Sequence, residues 1–215
     1  MLRLTGAELT IRLLENQGVT CIAGIPGGFN LPLYDALGRS GAIRHVLARH
    51  EQGAGFIAQG MARVSGRPGV VFATSGPGAT NTLTALADAR MDSVPLVCIT
   101  GQVPQSMIGT DAFQEVDIYG MSIPATKHNF LVRSPEELPR VIAEAFSIAV
   151  SDRPGPVLVD IPRDVQVAPV EVDGLPEPGV ATPMPTPDSA ALARAAELLN
   201  AAERPLLLLG GGTSS

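Results

Sequence analysis

The sequence predicts an α/β fold: an open parallel sheet with helices on both faces, followed by the start of a second α/β domain. Three observations carry that expectation. Runs such as Val70-Val71-Phe72 and Val157-Leu158-Val159 are continuously apolar, the mark of strands buried on both faces. They alternate with stretches of helical periodicity, as crossover connections in a parallel sheet require. Gly-rich turns close most of the runs, at Pro26-Gly27-Gly28, Ser75-Gly76-Pro77-Gly78 and Gly101-Gln102.

Taken in order, Thr5-Gly6-Ala7-Glu8 is a capping box that opens a helix ending near Gly18, which suits its C′ position. Val19 to Ile25 is a strand, followed by a short helix near 30–38, a strand at 43–48 and a helix from Glu51 to about Val64. A strand from Val70 to Thr74, a helix over 79–90 and a strand from Pro95 to Thr100 continue the alternation. After a long loop, Ser134-Pro135-Glu136-Glu137 starts a helix with Ser as N-cap, and Val157 to Ile161 is the last strand of the first domain. Residues 164–187 form a Pro-rich linker, within a stretch from 162 to 187 that holds seven prolines. Asp188 caps a new helix, Leu206-Leu207-Leu208-Leu209 is a strand, and Gly210-Gly211-Gly212 is a βα turn. The expected organisation is a domain over 1–163, the linker, and the truncated beginning of a second domain over 188–215.

Composition narrows the function. A hydrophobic fraction of 45% is ample for a core, and a net charge of −6 argues against nucleic-acid or anionic-membrane partners. No run approaches the roughly 18 apolar residues of a membrane span, and no signal-type stretch opens the chain, so a cytoplasmic protein is expected. Cys21 and Cys98 sit inside apolar runs and read as reduced packing residues, as Met61, Met91 and Met107 read as core.

Ligands of open parallel sheets bind beyond the carboxyl ends of the strands. Several motifs there fail. His50-Glu51-Gln52-Gly53-Ala54 lacks the second His of a zinc-protease helix, and Gly76-Pro77-Gly78-Ala79-Thr80-Asn81 has Asn at the third Gly of a dinucleotide fingerprint. No P-loop and no nucleophile-elbow motif occurs. Glu51 stands out instead: it begins a helix whose expected inner face is Gly53, Ala54, Ile57, Ala58 and Ala62, and a carboxylate is favoured at a helix N-terminus.

Seven segments, read together, carry a resemblance. Ile25-Pro26-Gly27-Gly28, Arg49-His50-Glu51-Gln52-Gly53-Ala54-Gly55-Phe56 and Thr74 through Asn81 resemble the pyrimidine-binding domain of thiamine-diphosphate enzymes. Gly101-Gln102-Val103-Pro104, Ile108 through Glu115, Thr126-Lys127-His128-Asn129 and Arg153 through Val165 narrow the resemblance to acetolactate (acetohydroxyacid) synthase large subunits. It spans residues 2–166.

The resemblance implies thiamine diphosphate as cofactor, pyruvate and a second 2-keto acid as substrates, and carboligation to a 2-acetohydroxy acid in branched-chain amino-acid biosynthesis. By position, it assigns Glu51 to the cofactor's pyrimidine N1′, and Thr74, Pro77 and Asn81 to the sides of that ring. Gly28 falls at the substrate end, where its N–H meets a developing oxyanion, and Phe113 and Gln114 fall on the substrate-side pair. Arg163 stands on the same side, where many members have Lys. Arg153 and Gly210, Gly211 and Gly212 fall on flavin contacts, for an FAD that is structural in the family. The diphosphate and its Mg²⁺ belong to a third domain whose Gly-Asp-Gly motif this chain lacks, and the active site forms between two subunits. A homodimer or larger assembly is therefore expected, with a small regulatory subunit left open as a further partner, and this chain alone is expected to be inactive.

Plainer readings compete at each position. Gly28, Gly76 and Gly78 serve equally as strand-end turns, Pro77 as a loop stiffener, and Arg153 and Arg163 as surface charges. His45, His50 and His128 show no ligand spacing. At the level of the whole chain the rivals are another thiamine-diphosphate carboligase or decarboxylase, a noncatalytic assembly domain with this fold, and a nucleotide-binding Rossmann protein.

Overall fold

The computed structural model describes residues 2–213 and divides into two compact units, Met1–Ala181 and Thr182–Ser215. The first unit begins with strand β1 (Leu2–Thr5) and helix α1 (Gly6–Asn16), then β2 (Cys21–Gly24), α2 (Leu31–Arg39), β3 (Arg44–Leu47) and α3 (Glu51–Ser65). It continues with β4 (Gly69–Ala73), α4 (Pro77–Thr80), α5 (Leu83–Asp92), β5 (Leu96–Gln102), α6 (Ile118–Ser122) and β6 (His128–Leu131). It closes with α7 (Leu138–Val150), β7 (Pro156–Pro162), α8 (Arg163–Val167) and β8 (Pro169–Val172).

Six strands form one parallel sheet in the order β3-β2-β4-β5-β7-β6. Period-two alternation splits the apolar side chains of its central strands between two cores. Val70, Phe72, Val97, Ile99, Val157 and Val159 meet α1, α2 and α7 on one face. Val71, Leu96, Cys98 and Leu158 meet α3 and α5 on the other. The α/β architecture with an open parallel sheet covered on both faces is as the sequence predicts. The chain leaves β2 through α2 toward β3 on one side and leaves β4 through α5 toward β5 on the other. This reversal makes the carboxyl ends of β2 and β4 the switch point, where a crevice opens in such sheets.

Local signals held where they had a partner. Thr5 and Glu8 complete the capping box, with Glu8 N–H donating to Thr5 Oγ1 at 3.2 Å and Thr5 N–H to Glu8 Oε2 at 2.8 Å, and Gly18 follows the helix at φ +77°. The structure differs from expectation at several points. The helix expected over 79–90 is broken into α4 and α5 around Asn81 and Thr82, whose hydroxyl donates to the Ala79 carbonyl at 2.7 Å. Ser134 makes no cap; Pro135–Glu137 is a 3-10 turn ahead of α7. The long loop contains α6 and the edge strand β6. The buried face of α3 is Ala54, Gly55, Ala58, Gln59 and Ala62, while Gly53 and Ile57 point outward. Met91 and Met107 are exposed rather than core, and Met61 is half-buried.

Where a linker was expected from 164, α8 and β8 form instead. β8 pairs antiparallel with β1, Leu2 opposite Val172 and Thr5 opposite Pro169, because two short extended segments can each supply the other's backbone bonds. The following turns stay tied to the first unit: Asn16 Nδ2 donates to the Pro176 carbonyl at 2.8 Å, Gly179 N–H to Gln17 Oε1 at 3.0 Å, and Ser147 Oγ to the Val180 carbonyl at 2.8 Å.

The second unit contains helix α9 (Ser189–Ala201), capped by the Asp188 carboxylate, which accepts from the N–H groups of Ala190 and Ala191. Leu206–Leu209 is not a strand, and these leucines are between 64% and 98% exposed. A strand needs a neighbour to take its backbone groups, and no strand is present among the described residues of this unit. Gly210 accepts from Thr213 N–H at 3.1 Å in a 3-10 turn over Gly211–Thr213.

Candidate functional site

The crevice is built by the loops that leave β2, β3, β4 and β5. After β4, Thr74 and Ser75 are buried, and Gly76 turns the chain with φ +55° into α4. That turn demands glycine twice over: the dihedral is left-handed, and a Cβ there would lie 2.5 Å from the Gln114 carbonyl oxygen. The loop bearing Phe113 and Gln114 therefore lies directly on the Gly76 turn. After β3, the chain reaches His50, whose Nδ1 caps α3 by accepting from Gln52 N–H at 3.1 Å, and Glu51 starts the helix, half-buried.

Glu51 and Asn81 meet. Asn81 Nδ2 donates to Glu51 Oε2 at 2.9 Å, which fixes the carboxylate from one side. Glu51 Oε1 accepts no hydrogen bond among the described residues. Gly78 faces it: a Cβ at Gly78 would come within 3.4 Å of Oε1 and 2.7 Å of Thr74 Cγ2, so glycine keeps this side of the carboxylate open. Thr74 Oγ1 in turn accepts from Phe29 N–H at 3.2 Å and pins the β2 loop, in which Gly27 N–H donates to Asn30 Oδ1 at 2.7 Å. Gly28, exposed at the tip, has no atom within 4 Å of where its Cβ would be.

Of the residues singled out from the sequence, Glu51 and Asn81 are in direct contact, Thr74 and Glu51 both flank Gly78, and the Gln114 backbone lies against Gly76, with Pro77 exposed at the first turn of α4 and Gly28 on the pinned loop. Phe113, 80% exposed, is beside Gln114. Arg163 is exposed at the start of α8, at the same end of the sheet. Arg153 is elsewhere. Its Nε donates to Ser93 Oγ at 2.8 Å and one terminal nitrogen to the Met91 carbonyl at 2.7 Å, at the end of the sheet where β5 and β7 begin. Gly210, Gly211 and Gly212 belong to the second unit.

Sequence reasoning missed the supports beneath the crevice. Tyr34 is wedged against Gly24, edge-on to Phe72 at 5.9 Å and to His45 at 5.0 Å, and burial with the nearby Glu51 charge pushes its phenol pKa up. Gln166 Nε2 donates to the carbonyls of Phe29 and Ile161, each at 2.7 Å. Gln102 and Asp160, both nearly inaccessible, bridge β5 and β7 at 3.0 Å. The signal was legible for one of them: Asp160 is the lone carboxylate in a fully buried strand, where a charge needs a reason.

Comparison with known proteins now bears on this geometry. The family model described as "Thiamine pyrophosphate enzyme, N-terminal TPP binding domain" matches residues 4–121. The acetolactate synthase isozyme 1 large subunit of Escherichia coli (strain K12) is 62% identical over 210 residues, which is 98% of this chain and 37% of that protein. The acetolactate synthase large subunit of Mycobacterium tuberculosis (strain CDC 1551 / Oshkosh) is 58% identical over 98% of the chain and 34% of its own length. The chloroplastic acetolactate synthase of Arabidopsis thaliana is 50% identical over 96% and 32%. The chain thus spans about a third of the length of the curated relatives it matches. Match and fold agree: this chain belongs to the thiamine pyrophosphate enzymes, whose N-terminal TPP-binding domain it carries in the form found in acetolactate synthase large subunits.

Proposed function

We propose that the chain is the pyrimidine-binding part of an acetolactate synthase, which decarboxylates pyruvate and joins the two-carbon unit to pyruvate or 2-ketobutyrate. The observation that carries this reading is the Glu51 carboxylate at the switch point, one oxygen held by Asn81 and the other open beside Gly78. The cradle fits an aromatic ring with a protonatable nitrogen. Thiamine diphosphate, when bound, supplies the electron sink for loss of CO2 from the keto acid.

The roles of the residues follow. Asn81 orients Glu51 so that Oε1 exchanges a proton with the pyrimidine N1′, with Thr74 and Pro77 beside the ring. Proton transfer by one placed group is worth about 10²–10⁴ in rate. Gly28 offers its backbone N–H at the substrate end, and Gln114, Phe113 and Arg163 face the 2-keto acids. Arg153 is assigned to FAD through the N–H groups that Ser93 and Met91 do not take. Mg²⁺ is held with the diphosphate by a part of the protein outside this chain. Among the described residues no cluster of three or more His, Cys, Asp or Glu is arranged for a metal ion.

A second copy completes the site. Gly53, Phe56, Ile57, Gly60 and Val64 form one exposed, uncharged face of the helix that Glu51 begins, and this supports a homodimer packed there. The designation "large subunit" carried by the relatives supports a smaller regulatory partner. No helix among the described residues is long and apolar enough to cross a membrane, and a cytoplasmic location is part of the proposal. Half a site at each position leaves this chain by itself inactive.

The test is acetolactate formation by a protein of the relatives' full length, supplied with thiamine diphosphate, Mg²⁺ and FAD, against its Glu51→Gln variant. Turnover is expected to fall about 10²-fold or more with the fold intact. Equal turnover would reduce Glu51 to a helix-start charge and overturn the reading.

A further inference from the structure

Beneath the loop that carries Phe113 and Gln114 lies a chain of buried polar groups that no step above uses. Thr100, Gln102 and Asp160 are 0%, 3% and 1% exposed. Thr100 Oγ1 donates to Asp160 Oδ1 at 2.7 Å, and Gln102 Nε2 donates to Asp160 Oδ2 at 3.0 Å. The same nitrogen donates its second hydrogen to the Val116 carbonyl at 3.1 Å, and Gln102 Oε1 accepts from Val103 N–H at 2.9 Å. Both N–H donors and the oxygen of the Gln102 amide are thus engaged, which fixes the amide in one orientation.

We infer that Gln102, held by Asp160, is the positioning residue that latches the substrate-side loop to the sheet. Among the described residues no hydrogen bond ties residues 106–115 to the sheet, while Val116 and Ile118 pack into the core at the loop's far end. Its internal order comes from Glu115, whose carboxylate accepts from the N–H groups of Gly109, Thr110 and Ala112. At its near end, Gln105 binds the Asp164 carboxylate at 3.2 Å. Those bonds make it a preformed unit, and the Gln102–Val116 bond sets where that unit docks on the Gly76 turn. Gln114 itself has a left-handed backbone, φ +58°, which the docked loop must sustain. Removing one partner of a buried hydrogen bond exposes the full desolvation penalty of the other, so this small contact has leverage.

The assignment of Gln114 to substrate rests on the proposed function; the latch does not. The test therefore has two readings. In hydrogen exchange on the 215-residue chain, Gln102→Leu is expected to speed exchange of the Ala112, Glu115 and Ile118 amides about tenfold or more, with the β4, β5 and β7 amides unchanged. Asp160→Asn, whose amide still accepts from Gln102 and can donate to Thr100, is expected to keep them protected. In a full-length protein, Gln102→Leu should raise KM for pyruvate about tenfold with a smaller change in kcat, and Asp160→Asn should retain a KM close to that of the wild type. Unchanged loop exchange in Gln102→Leu overturns the latch, as does equal loss of protection across the sheet. A latched loop in a protein that makes no acetolactate would leave the latch standing and overturn the functional reading instead.

Discussion

Asp160→Asn isolates a buried carboxyl whose titration the fold controls. Asp160 sits in the middle of the sheet with two hydrogen bonds and, among the described residues, no cation acting on it. Burial pushes its pKa up to about 7, against the pull of the Thr100 and Gln102 bonds, and the Asp117 charge adds to the rise. A further titratable group nearby, the Cys98 thiol, is itself pushed up to about 12 by burial and stays neutral. A folded-state pKa above the unfolded one means that the native protein binds the proton more tightly. The stability this contributes is complete below about pH 4 and is lost as pH rises through about 7. Between those limits the slope approaches about 1.4 kcal/mol per pH unit. The asparagine keeps the shape and the Gln102 bond but does not titrate. Urea unfolding of wild type and variant at about pH 5 and about pH 7 reads the difference. Wild type is expected to lose on the order of 2–3 kcal/mol relative to the variant over that interval. A constant difference would refute the argument, because it would mean that Asp160 is no more easily protonated in the fold than in the unfolded chain.

Two further substitutions probe the frame. Gly101→Ala places a methyl 2.1 Å from the Phe29 carbonyl oxygen, so the β2 loop must move. Overpacking of this kind costs about 1–3 kcal/mol, and a thermal midpoint lowered by several degrees in calorimetry is expected. An unchanged midpoint would show that the loop yields freely. Lys127→Met removes an ammonium that donates to the Ile148 and Ser151 carbonyls at the end of α7, the latter at 2.6 Å. A loss of about 1–3 kcal/mol in denaturant unfolding checks whether this cation closes the helix end.

Much of the fold was legible because it rests on local rules. The capping box at Thr5 and Glu8, the left-handed stop at Gly18 and the Asp188 cap each need only a few neighbouring residues. The continuous apolar strands announced a sheet covered on both faces, and their glycine-rich ends marked the crevice. Features that depend on distant partners were hidden. β8 exists because β1 lies alongside it, and Leu206–Leu209, as apolar as any strand here, forms none for want of a neighbour. The outward turn of Gly53 and Ile57 on α3 was equally obscure, since alanines and glycines mark a close-packed face without saying how wide it is.

The candidate site divides the same way. Order along the chain was enough to select Glu51, Thr74, Asn81, Gly28 and Gln114, because family motifs are strings of residues at fixed spacing. The Asn81–Glu51 bond, the Gln114 backbone resting on Gly76, and the Gln102–Asp160 bridge beneath the loop came only from the tertiary structure. Which residue types a site requires is written in one dimension, since each must be encoded at its own position. Which of them touch is decided by strand order, where β4 lies between β2 and β5 and β7 between β5 and β6, and no local pattern in the chain specifies that order.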